Sequence, residues 1–400
     1  MQRTNKVLLI YTGGTIGMGR NPKTGALEPL DFNHLVENVP EFEQISTEVD
    51  TYQFIPAIDS SDMSPVFWGK LVRIIATKYE QYDGFVILHG TDTMSYTASA
   101  LSYMFENLTK PIILTGSQLP IGQLRTDGKE NLMTSIELAS SYYPNGRPIV
   151  PEVSIYFSGH LIRGNRSTKQ NAEEFNAFNS FNYPHLCEAG VNFNFKTQNI
   201  LTPDYDLPMI PHTAMDNNIT VLSLFPGMKE GIFDHILDLP DLHGIVMRSY
   251  GSGNAPQQAW LMKLLKQLTD KGVTVVNISQ CISGQVEMNR YDTGYQLKDA
   301  NVISGYDSTV EAAITKLMFL PNQWVVDAVN VRFNGTSTEK EFPISGTLDK
   351  GWKGVYDKAD DKLEVGAGKM ITRHFDGKRL SDTNNSSVDF EVKKVVVPTK

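Results

Sequence analysis

Short apolar segments rich in β-branched residues recur along the first three quarters of the 400-residue chain, and they constrain its fold more than any other feature. Gly, Ser or Thr closes each of them, and longer segments with helical periodicity lie between them, at residues 64–82, 93–108 and 255–268. The seven apolar segments are residues 6–12, 85–90, 112–117, 153–159, 220–227, 244–251 and 273–281. Their length and composition are typical of strands that are buried on both faces of a parallel sheet.

The alternation of strand and helix predicts a layered α/β fold with right-handed crossovers. We expect a large N-terminal domain with a mostly parallel sheet flanked by helices, and a smaller C-terminal α/β domain. Prolines mixed with polar residues at 196–217 indicate a linker between domains at 1–195 and 218–345. Residues 346–400 are rich in Gly, Lys, Asp and Asn, which predicts edge strands or a partly disordered tail.

Composition excludes several classes of protein. The 36 Lys and Arg against 45 Asp and Glu give a net charge of −9, whereas a nucleic-acid footprint needs a basic stripe. Cys187 and Cys281 are too few for a disulfide framework and lack metal-ligand spacing. No stretch approaches the ~18 apolar residues of a membrane helix, and no signal-peptide pattern is present. We therefore expect a cytoplasmic protein with no nucleic-acid or membrane partner and no metal or organic cofactor.

Polar residues follow the first strand at the edge where open α/β sheets bind ligands. Gly13 and Gly14 let the backbone turn sharply, and Thr15 then presents a hydroxyl with backbone N–H groups nearby. The segment lacks the G-x-G-x-x-G spacing and the Walker lysine, so a phosphate cradle fits poorly. A plain strand-to-loop turn is the alternative interpretation.

The second and fourth strands also end in groups that could carry chemistry. Thr91, Asp92 and Thr93 form a compact polar cluster, although Asp92 or Thr93 could instead cap the following helix. His89 is expected to be a packed, hydrogen-bonded residue rather than a base. Lys169 is either a surface charge or, if buried beside a hydroxyl and a carboxylate, a base with a lowered pKa.

A further polar segment precedes the helical pattern at 64–82. Asp59 and Ser60 could bind the amine and the carboxylate of an amino acid, or Ser61, Asp62 or Ser64 could be an N-cap. No G-x-S-x-G elbow, Cys–His pairing or metal-ligand spacing is found. The chemistry left open by these residues uses hydroxyls, a lysine and carboxylates.

Taken together, these segments resemble the L-asparaginase family of amidohydrolases, with the bacterial type I, cytosolic branch most similar. The similarity extends over about residues 5–320, and the order and spacing of TGGTIGM and HGTDTM are its most specific part. The matching segments are TGGTIGM (12–18), DSSDM (59–63), HGTDTMSYTASALS (89–102), GSQLP (116–120), LRTDGKENL (124–132), RGNRSTK (163–169), RSYGSGNAP (248–256), SQC (279–281) and VISGYDSTVEAAITKL (302–317).

The resemblance implies hydrolysis of the side-chain amide of L-asparagine to L-aspartate and ammonia through a covalent acyl-enzyme, without a cofactor, in a homodimer or homotetramer. Thr15 corresponds by position to the nucleophile, and Thr91, Asp92 and Lys169 correspond to a proton relay. The substrate's α-carboxylate and α-amine would be held by Asp59, Ser60, Thr91 and Asp92. Asp92 would favour a charged Lys169, which opposes the lowered pKa that a base needs, and the sequence leaves this conflict open.

Two further expectations concern residues near the C-terminal part of the resemblance. Family members often have a tyrosine shortly after the first threonine, and residues 20–27 contain none. Our hypothesis is that Tyr306 supplies this hydroxyl to Thr15 from the second domain or across a dimer. Some type I enzymes also bind asparagine at a distinct allosteric site, and the matching positions are Thr168, Arg248 and Cys281.

Two other functions share parts of this pattern. An amidotransferase subunit that liberates ammonia for tRNA-dependent amidation carries the same threonine motifs, but it has an extra N-terminal module and its tRNA partner disfavours an acidic chain. A binding protein that retains the amino-acid pocket without turnover is the other alternative. A pure sensor would not need both threonines with Asp92 and Lys169, so hydrolysis is the prediction.

Overall fold

The structure is a computed structural model, and it describes residues 4–20, 24, 27–29, 39–233, 235–288, 292–319, 369–373 and 390–394. The chain divides into two compact units, residues 1–322 and 323–400. Among the helices in the described ranges, none combines the length and the apolar character needed to cross a membrane.

An eight-stranded sheet forms the larger part of the first unit. Its strands are β1 (Lys6–Tyr11), β2 (Glu48–Gln53), β3 (Gly84–Leu88), β4 (Ile112–Thr115), β5 (Val153–Phe157), β6 (His160–Arg163), β7 (Cys187–Ala189) and β8 (Phe193–Phe195). They are ordered β2-β1-β3-β4-β5-β6-β7-β8, and the first five are parallel to one another. The last three continue the sheet antiparallel, so the predicted mostly parallel sheet is confirmed.

Helices cover both faces of this sheet, because its central strands are apolar on both sides. The helices are α1 (Pro65–Lys78), α2 (Met94–Met104) and α3 (Gly128–Ala139). In β3, Phe85 and Ile87 pack into one core with α1 and α2, whereas Val86 and Leu88 pack into a second core with α3. This two-sided burial is the reason that the strand reads as a continuous apolar run.

A separate four-stranded parallel sheet follows in the same unit. Its strands are β9 (Ile219–Ser223), β10 (Gly244–Ser249), β11 (Thr274–Ser279) and β12 (Ile303–Ser304), and its helices are α4 (Ala259–Asp270), α5 (Asp292–Asp299) and α6 (Val310–Phe319). Ile245 and Met247 pack with α4 on one face, and Val246 packs with α6 on the other. The expected smaller α/β domain is therefore confirmed.

Polar contacts join the two sheets within the first unit. Nη1 of Arg166 donates to Oδ1 of Asp307 at 2.8 Å, and Oγ1 of Thr168 donates to Oε1 of Glu311 at 2.6 Å. Nδ2 of Asn182 donates to the Asp307 carbonyl at 3.0 Å. These bonds connect the segment between β6 and β7 with the β12–α6 connection and with the first turn of α6.

Four short antiparallel strand pairs lie outside the two sheets in the described residues. They are Met18–Arg20 with Leu27–Pro29, Phe105–Glu106 with Ile210–Pro211, Thr168–Lys169 with Phe178–Asn179, and Lys369–Arg373 with Phe390–Lys394. The last pair lies in the predicted tail, most of which is outside the described residues. The boundaries 1–195, 196–217, 218–345 and 346–400 stay predictions.

Candidate active site

The first threonine motif is held against two other segments by glycines that have no room for a side chain. Gly13 and Gly14 have φ values of +136° and +96°. A Cβ atom would lie 2.1 Å from the Ile58 carbonyl oxygen at Gly13 and 2.5 Å from the Gly90 nitrogen at Gly14. Since β1 and β3 are parallel neighbours, this contact brings Thr15 to the same end of the sheet as the second threonine motif, where the carboxyl ends of the strands lie.

Thr15 is half-buried and begins a single 3₁₀ turn, Thr15–Gly17. The next residue, Ile16, is fully buried in the core beside α3 and accepts a hydrogen bond from the Ile121 N–H at 3.1 Å. The turn that begins at Thr15 is thus anchored through Ile16.

The second motif forms a hydrogen-bonded cluster around a lysine. Nζ of Lys169 donates to Oγ1 of Thr91 at 2.8 Å and to Oδ1 of Asp92 at 2.7 Å. Thr91 is buried, the Lys169 side chain is 18% exposed and the Asp92 side chain is 69% exposed. Lys169 is therefore not a free surface charge, because its ammonium group bridges a hydroxyl and a carboxylate at the carboxyl end of the sheet.

Gln118 joins this cluster and was not among the predicted site residues. Its Oε1 accepts a hydrogen bond from Oγ1 of Thr91 at 3.3 Å, while its Nε2 donates to the carbonyls of Ala172 and Glu174. Asp127 accepts from the Gln118 backbone N–H. Gln118 follows β4, so the position of polar residues after strands was a signal that could have found it.

Asp59 and Ser60 lie next to both threonine motifs. Oδ1 of Asp59 accepts from the backbone N–H and the hydroxyl of Ser61, and these bonds hold the pKa of Asp59 below its ordinary value. Ser60 is buried, and a Cβ atom at Gly90 would lie 2.5 Å from its Oγ. An exposed, ionised carboxylate at this edge suits the recognition of an ammonium group.

Most of the capping alternatives do not apply in the structure. The N-cap residue of α2 is Thr93, whose side chain makes no cap hydrogen bond and instead donates to the Ser60 carbonyl at 2.7 Å. Ser64, the N-cap residue of α1, makes no side-chain cap bond either. Asp59 does cap the short 3₁₀ helix Ser60–Asp62, so this residue has both a structural role and an exposed carboxylate.

His89 lies just before the second threonine motif, where it is a structural residue and not a base. It is buried, and burial lowers the pKa of its imidazole to about 4. Its Nδ1 lies 2.7 Å from the Gly90 carbonyl, which can only accept, so Nδ1 carries the proton. Nε2 then accepts from the Thr97 hydroxyl at 2.9 Å, and Thr97 in turn accepts from the Trp68 indole. The neutral ring fixes the backbone just before Thr91.

A cavity of about 230 Å³, which we call the second cavity because its lining does not include Thr91, Asp92 or Lys169, is lined by all three residues predicted for an allosteric site. Its lining includes Thr168, Arg248 and Cys281, together with Asn182, Ser279, Gln280, Ile282, Gly284, Tyr306, Ser308, Thr309, Val310 and Glu311. Thr168 is adjacent in sequence to Lys169, so this cavity lies one residue away from the lysine cluster.

Tyr306 also lines this second cavity, has a φ of +52° and is 65% exposed. Among the described residues of one chain, no hydrogen bond joins it to Thr15. Of the segment that lacks the expected tyrosine, residues 21–23, 25 and 26 lie outside the described residues. The assignment of Tyr306 as the hydroxyl beside Thr15 stays a prediction.

The assembled groups have the properties that amide hydrolysis requires. Lys169, Thr91 and Asp92 are joined by hydrogen bonds, and the glycine turn before Thr15 packs against the segments that carry Asp59 and Thr91. Hydroxyl, lysine and carboxylate groups of this kind are those that acyl transfer uses. The arrangement thus combines candidate nucleophiles, a group that can hold or move a proton and a site for an ammonium ion.

The chain is similar in sequence and in structure to known proteins. Residues 6–201 match the family described as Asparaginase, N-terminal, and residues 218–329 match the Glutaminase/Asparaginase C-terminal domain. The chain is 42% identical to L-asparaginase 1 of Escherichia coli K12 over 323 residues, which are 79% of this chain and 92% of that protein. It is 35% identical over 339 residues to the 60 kDa lysophospholipase of Mus musculus, which covers 80% of this chain and 59% of that protein. The crystal structure of L-asparaginase I from Vibrio cholerae matches with a TM-score of 0.73 at 40% identity, covering 81% of this chain and 94% of that one.

Proposed function

The chain belongs to the asparaginase family of amidohydrolases, and from that premise we propose that it hydrolyses the side-chain amide of L-asparagine to L-aspartate and ammonia. The observation that carries the proposal is the bridge from Lys169 Nζ to Thr91 and Asp92, beside the glycine turn that leads to Thr15. The similarity to bacterial L-asparaginases over most of the chain supports the substrate.

In the proposed first step, Oγ1 of Thr15 attacks the side-chain amide carbon of asparagine. The hydroxyl proton passes to the relay of Thr91 and Lys169 and then to the amide nitrogen, the C–N bond breaks, and ammonia leaves. The product is an aspartyl ester on Thr15. A water molecule, positioned by Thr91, attacks this ester, the C–O bond breaks, and aspartate leaves as Thr15 regains its proton.

The charges of the remaining side chains suggest which of them bind the α-ammonium and the α-carboxylate of the substrate. The exposed carboxylates of Asp59 and Asp92 suit the substrate's α-ammonium, and the Ser60 and Thr91 hydroxyls suit its α-carboxylate. Nζ of Lys169 bonds to both Thr91 and Asp92, which places it to move a proton between the Thr91 hydroxyl and the leaving group.

We also propose that the second cavity, with Thr168, Arg248 and Cys281, binds asparagine as an allosteric ligand. The shared lining of one cavity by these three residues supports this assignment. We also propose that the protein acts in the cytoplasm as a homodimer or homotetramer. Sigmoidal dependence of the rate on asparagine concentration is the expected sign of the second site, and strictly hyperbolic kinetics in the purified oligomer would contradict it.

Ammonia release by the purified chain, with no partner protein, tests the proposed function. L-asparagine should be turned over, and L-glutamine assayed in parallel measures the preference between the two amides. Binding of asparagine without turnover would favour a binding protein. Ammonia release that needs an added partner would favour an amidotransferase subunit.

The covalent step can be tested separately by quenching the enzyme in acid during turnover. We expect an aspartyl ester on the peptide that contains Thr15, detected by mass spectrometry. An ester on the peptide that contains Thr91 would reverse the assignment of the two threonines, and the Thr15→Val variant shows whether any signal depends on Thr15.

A further inference from the structure

Tyr11, the last residue of β1, carries a buried hydroxyl group for which the described part of the chain offers no hydrogen-bond partner. The side chain is 0% exposed and lies with Val7 and Leu9 in the core that packs against α3. A buried polar atom without a partner costs free energy, and phenylalanine would place the same ring there without that cost. The hydroxyl therefore lowers the stability of the resting fold, and we looked for a role in which it gains a partner.

The Tyr11 ring lies against the 3₁₀ turn that begins at Thr15. A Cβ atom at Gly17, the last residue of this turn, would lie 2.3 Å from Oη of Tyr11 and 2.5 Å from its Cζ. Ile16, in the middle of the turn, is buried in the same core as Tyr11. The unpartnered hydroxyl is therefore in contact with the backbone only two residues after Thr15.

The turn offers acceptors that this hydroxyl could use. The Thr15 carbonyl accepts from the Met18 N–H, and the Ile16 carbonyl accepts from the Ile121 N–H at 3.1 Å. A carbonyl oxygen has two lone pairs, so each of them can accept a second hydrogen bond. Burial raises the pKa of Tyr11 to about 12, so that its hydroxyl stays protonated and can donate. A shift of the turn toward the ring would thus give Oη a partner and fix the backbone beside Thr15.

We propose that Tyr11 is a positioning residue for Thr15: its hydroxyl donates to a backbone carbonyl of the turn Thr15–Gly17 as Thr15 attacks the amide carbon. The bond is absent in the resting fold and forms on the way to the transition state, which it stabilises. This inference rests on the proposed function, in which Thr15 is the nucleophile. Tyr11 contacts the turn and not the substrate, so it acts only through the placement of Thr15.

Urea unfolding of Tyr11→Phe and of a matched variant, Tyr156→Phe, tests the first half of the proposal. Tyr156 is fully buried in the same core, but its hydroxyl donates to Glu130. We expect Tyr11→Phe to unfold at the same urea concentration as the wild type or a higher one, and Tyr156→Phe to unfold at a lower one. A lower midpoint for Tyr11→Phe would overturn the proposal, because its hydroxyl would then already stabilise the resting fold.

Steady-state kinetics with L-asparagine test the second half. An interaction made only in the transition state lowers kcat and kcat/KM equally, so Tyr11→Phe should lower both about 10-fold, as for one hydrogen bond of ordinary strength. KM should stay within about two-fold of the wild-type value, and Tyr156→Phe should keep kcat within about two-fold. Unchanged kcat in Tyr11→Phe, or a rise in KM alone, would overturn the proposal.

The two readouts separate this proposal from the proposed function. A wild-type chain that releases no ammonia would count against hydrolysis, while the unfolding comparison would still test whether the Tyr11 hydroxyl lacks a partner in the resting fold. An active wild type with an unaffected Tyr11→Phe variant would leave hydrolysis in place and reject Tyr11 as a positioning residue.

Discussion

His89 stabilises the fold only in its neutral form, and this makes stability depend on pH. Its pKa is about 4 when folded and about 6.5 when unfolded. The unfolded chain therefore binds more protons between these values, so stability is fully present above pH 6.5 and is lost as the pH falls toward 4. We expect the His89 contribution to the free energy of unfolding to fall by roughly 2–3 kcal/mol between pH 7 and pH 4.5.

Urea unfolding of the wild type and of His89→Gln at both pH values checks this expectation. The variant should be less stable at pH 7 and should lose less stability on acidification than the wild type. An equal loss in both proteins would mean that another group titrates in this range. His89 was expected to be packed and hydrogen-bonded, and the direction of its hydrogen bonds became clear only with Gly90 and Thr97 in place.

Gln118 provides a second prediction about a single residue. Gln118→Leu removes the acceptor for Thr91 and the donors to the Ala172 and Glu174 carbonyls. Because Thr91 would lose its orientation, we expect kcat on asparagine to fall by about 10-fold or more. Gln123→Leu, on the same connection, is the matched control and should leave kcat unchanged. Equal rates in both variants would remove Gln118 from the site.

At the level of elements, the apolar strands could be predicted and the polar ones could not. All seven predicted apolar segments contain a strand. In β1, β3, β4 and β5 the continuous apolar run follows from burial on both faces, whereas β9 is a partly exposed edge strand. The edge strand β2 has the sequence EVDTYQ and was missed, since only one neighbour and little of the core constrain its side chains. The antiparallel strands β6–β8 were missed because they are short. The candidate site could be predicted from the rule of strand ends, which needs only the central strands.

The close approach of β1 and β3 at their carboxyl ends predicts a strong effect of one methyl group. Gly14→Ala combines a positive φ with a clash against the Gly90 backbone, so we expect a loss of at least about 2 kcal/mol of stability together with activity. Gly146→Ala is the matched control, since Gly146 has a φ of +80° but open space around it. Thermal unfolding should separate the two variants. Similar losses would mean that backbone strain alone, and not the contact, makes glycine necessary.

At the scale of the whole molecule, the contacts between the two sheets were beyond prediction. Arg166 and Asp307 are 141 residues apart in the chain, and no periodicity or spacing relates them. The same is true of Thr168 and Glu311, which are 143 residues apart. Contacts of this kind depend on how two separately predicted sheets pack, which the sequence pattern of each sheet leaves undetermined.

The Arg166–Asp307 pair should hold the segment between β12 and α6 against the first sheet. Arg166 lowers the pKa of Asp307, so the stabilisation is present above the ordinary value of 3.8 and is lost as the pH falls through the folded value. Asp307→Asn should cost about 1 kcal/mol at pH 7 and should raise hydrogen exchange in α6. Asp270→Asn, which removes an exposed partner of Lys266, should change neither. Unchanged exchange in Asp307→Asn would show that other contacts hold the two sheets together.

Ammonia release from L-asparagine by the wild type, Thr15→Val and Thr47→Val tests the central claim most directly. Thr47 lies at the amino end of β2, away from the edge where the candidate site is assembled. We predict that the wild type and Thr47→Val release ammonia at similar rates and that Thr15→Val releases none above background. Undiminished release by Thr15→Val, with the protein folded, would contradict the assignment of Thr15 as the nucleophile of amide hydrolysis.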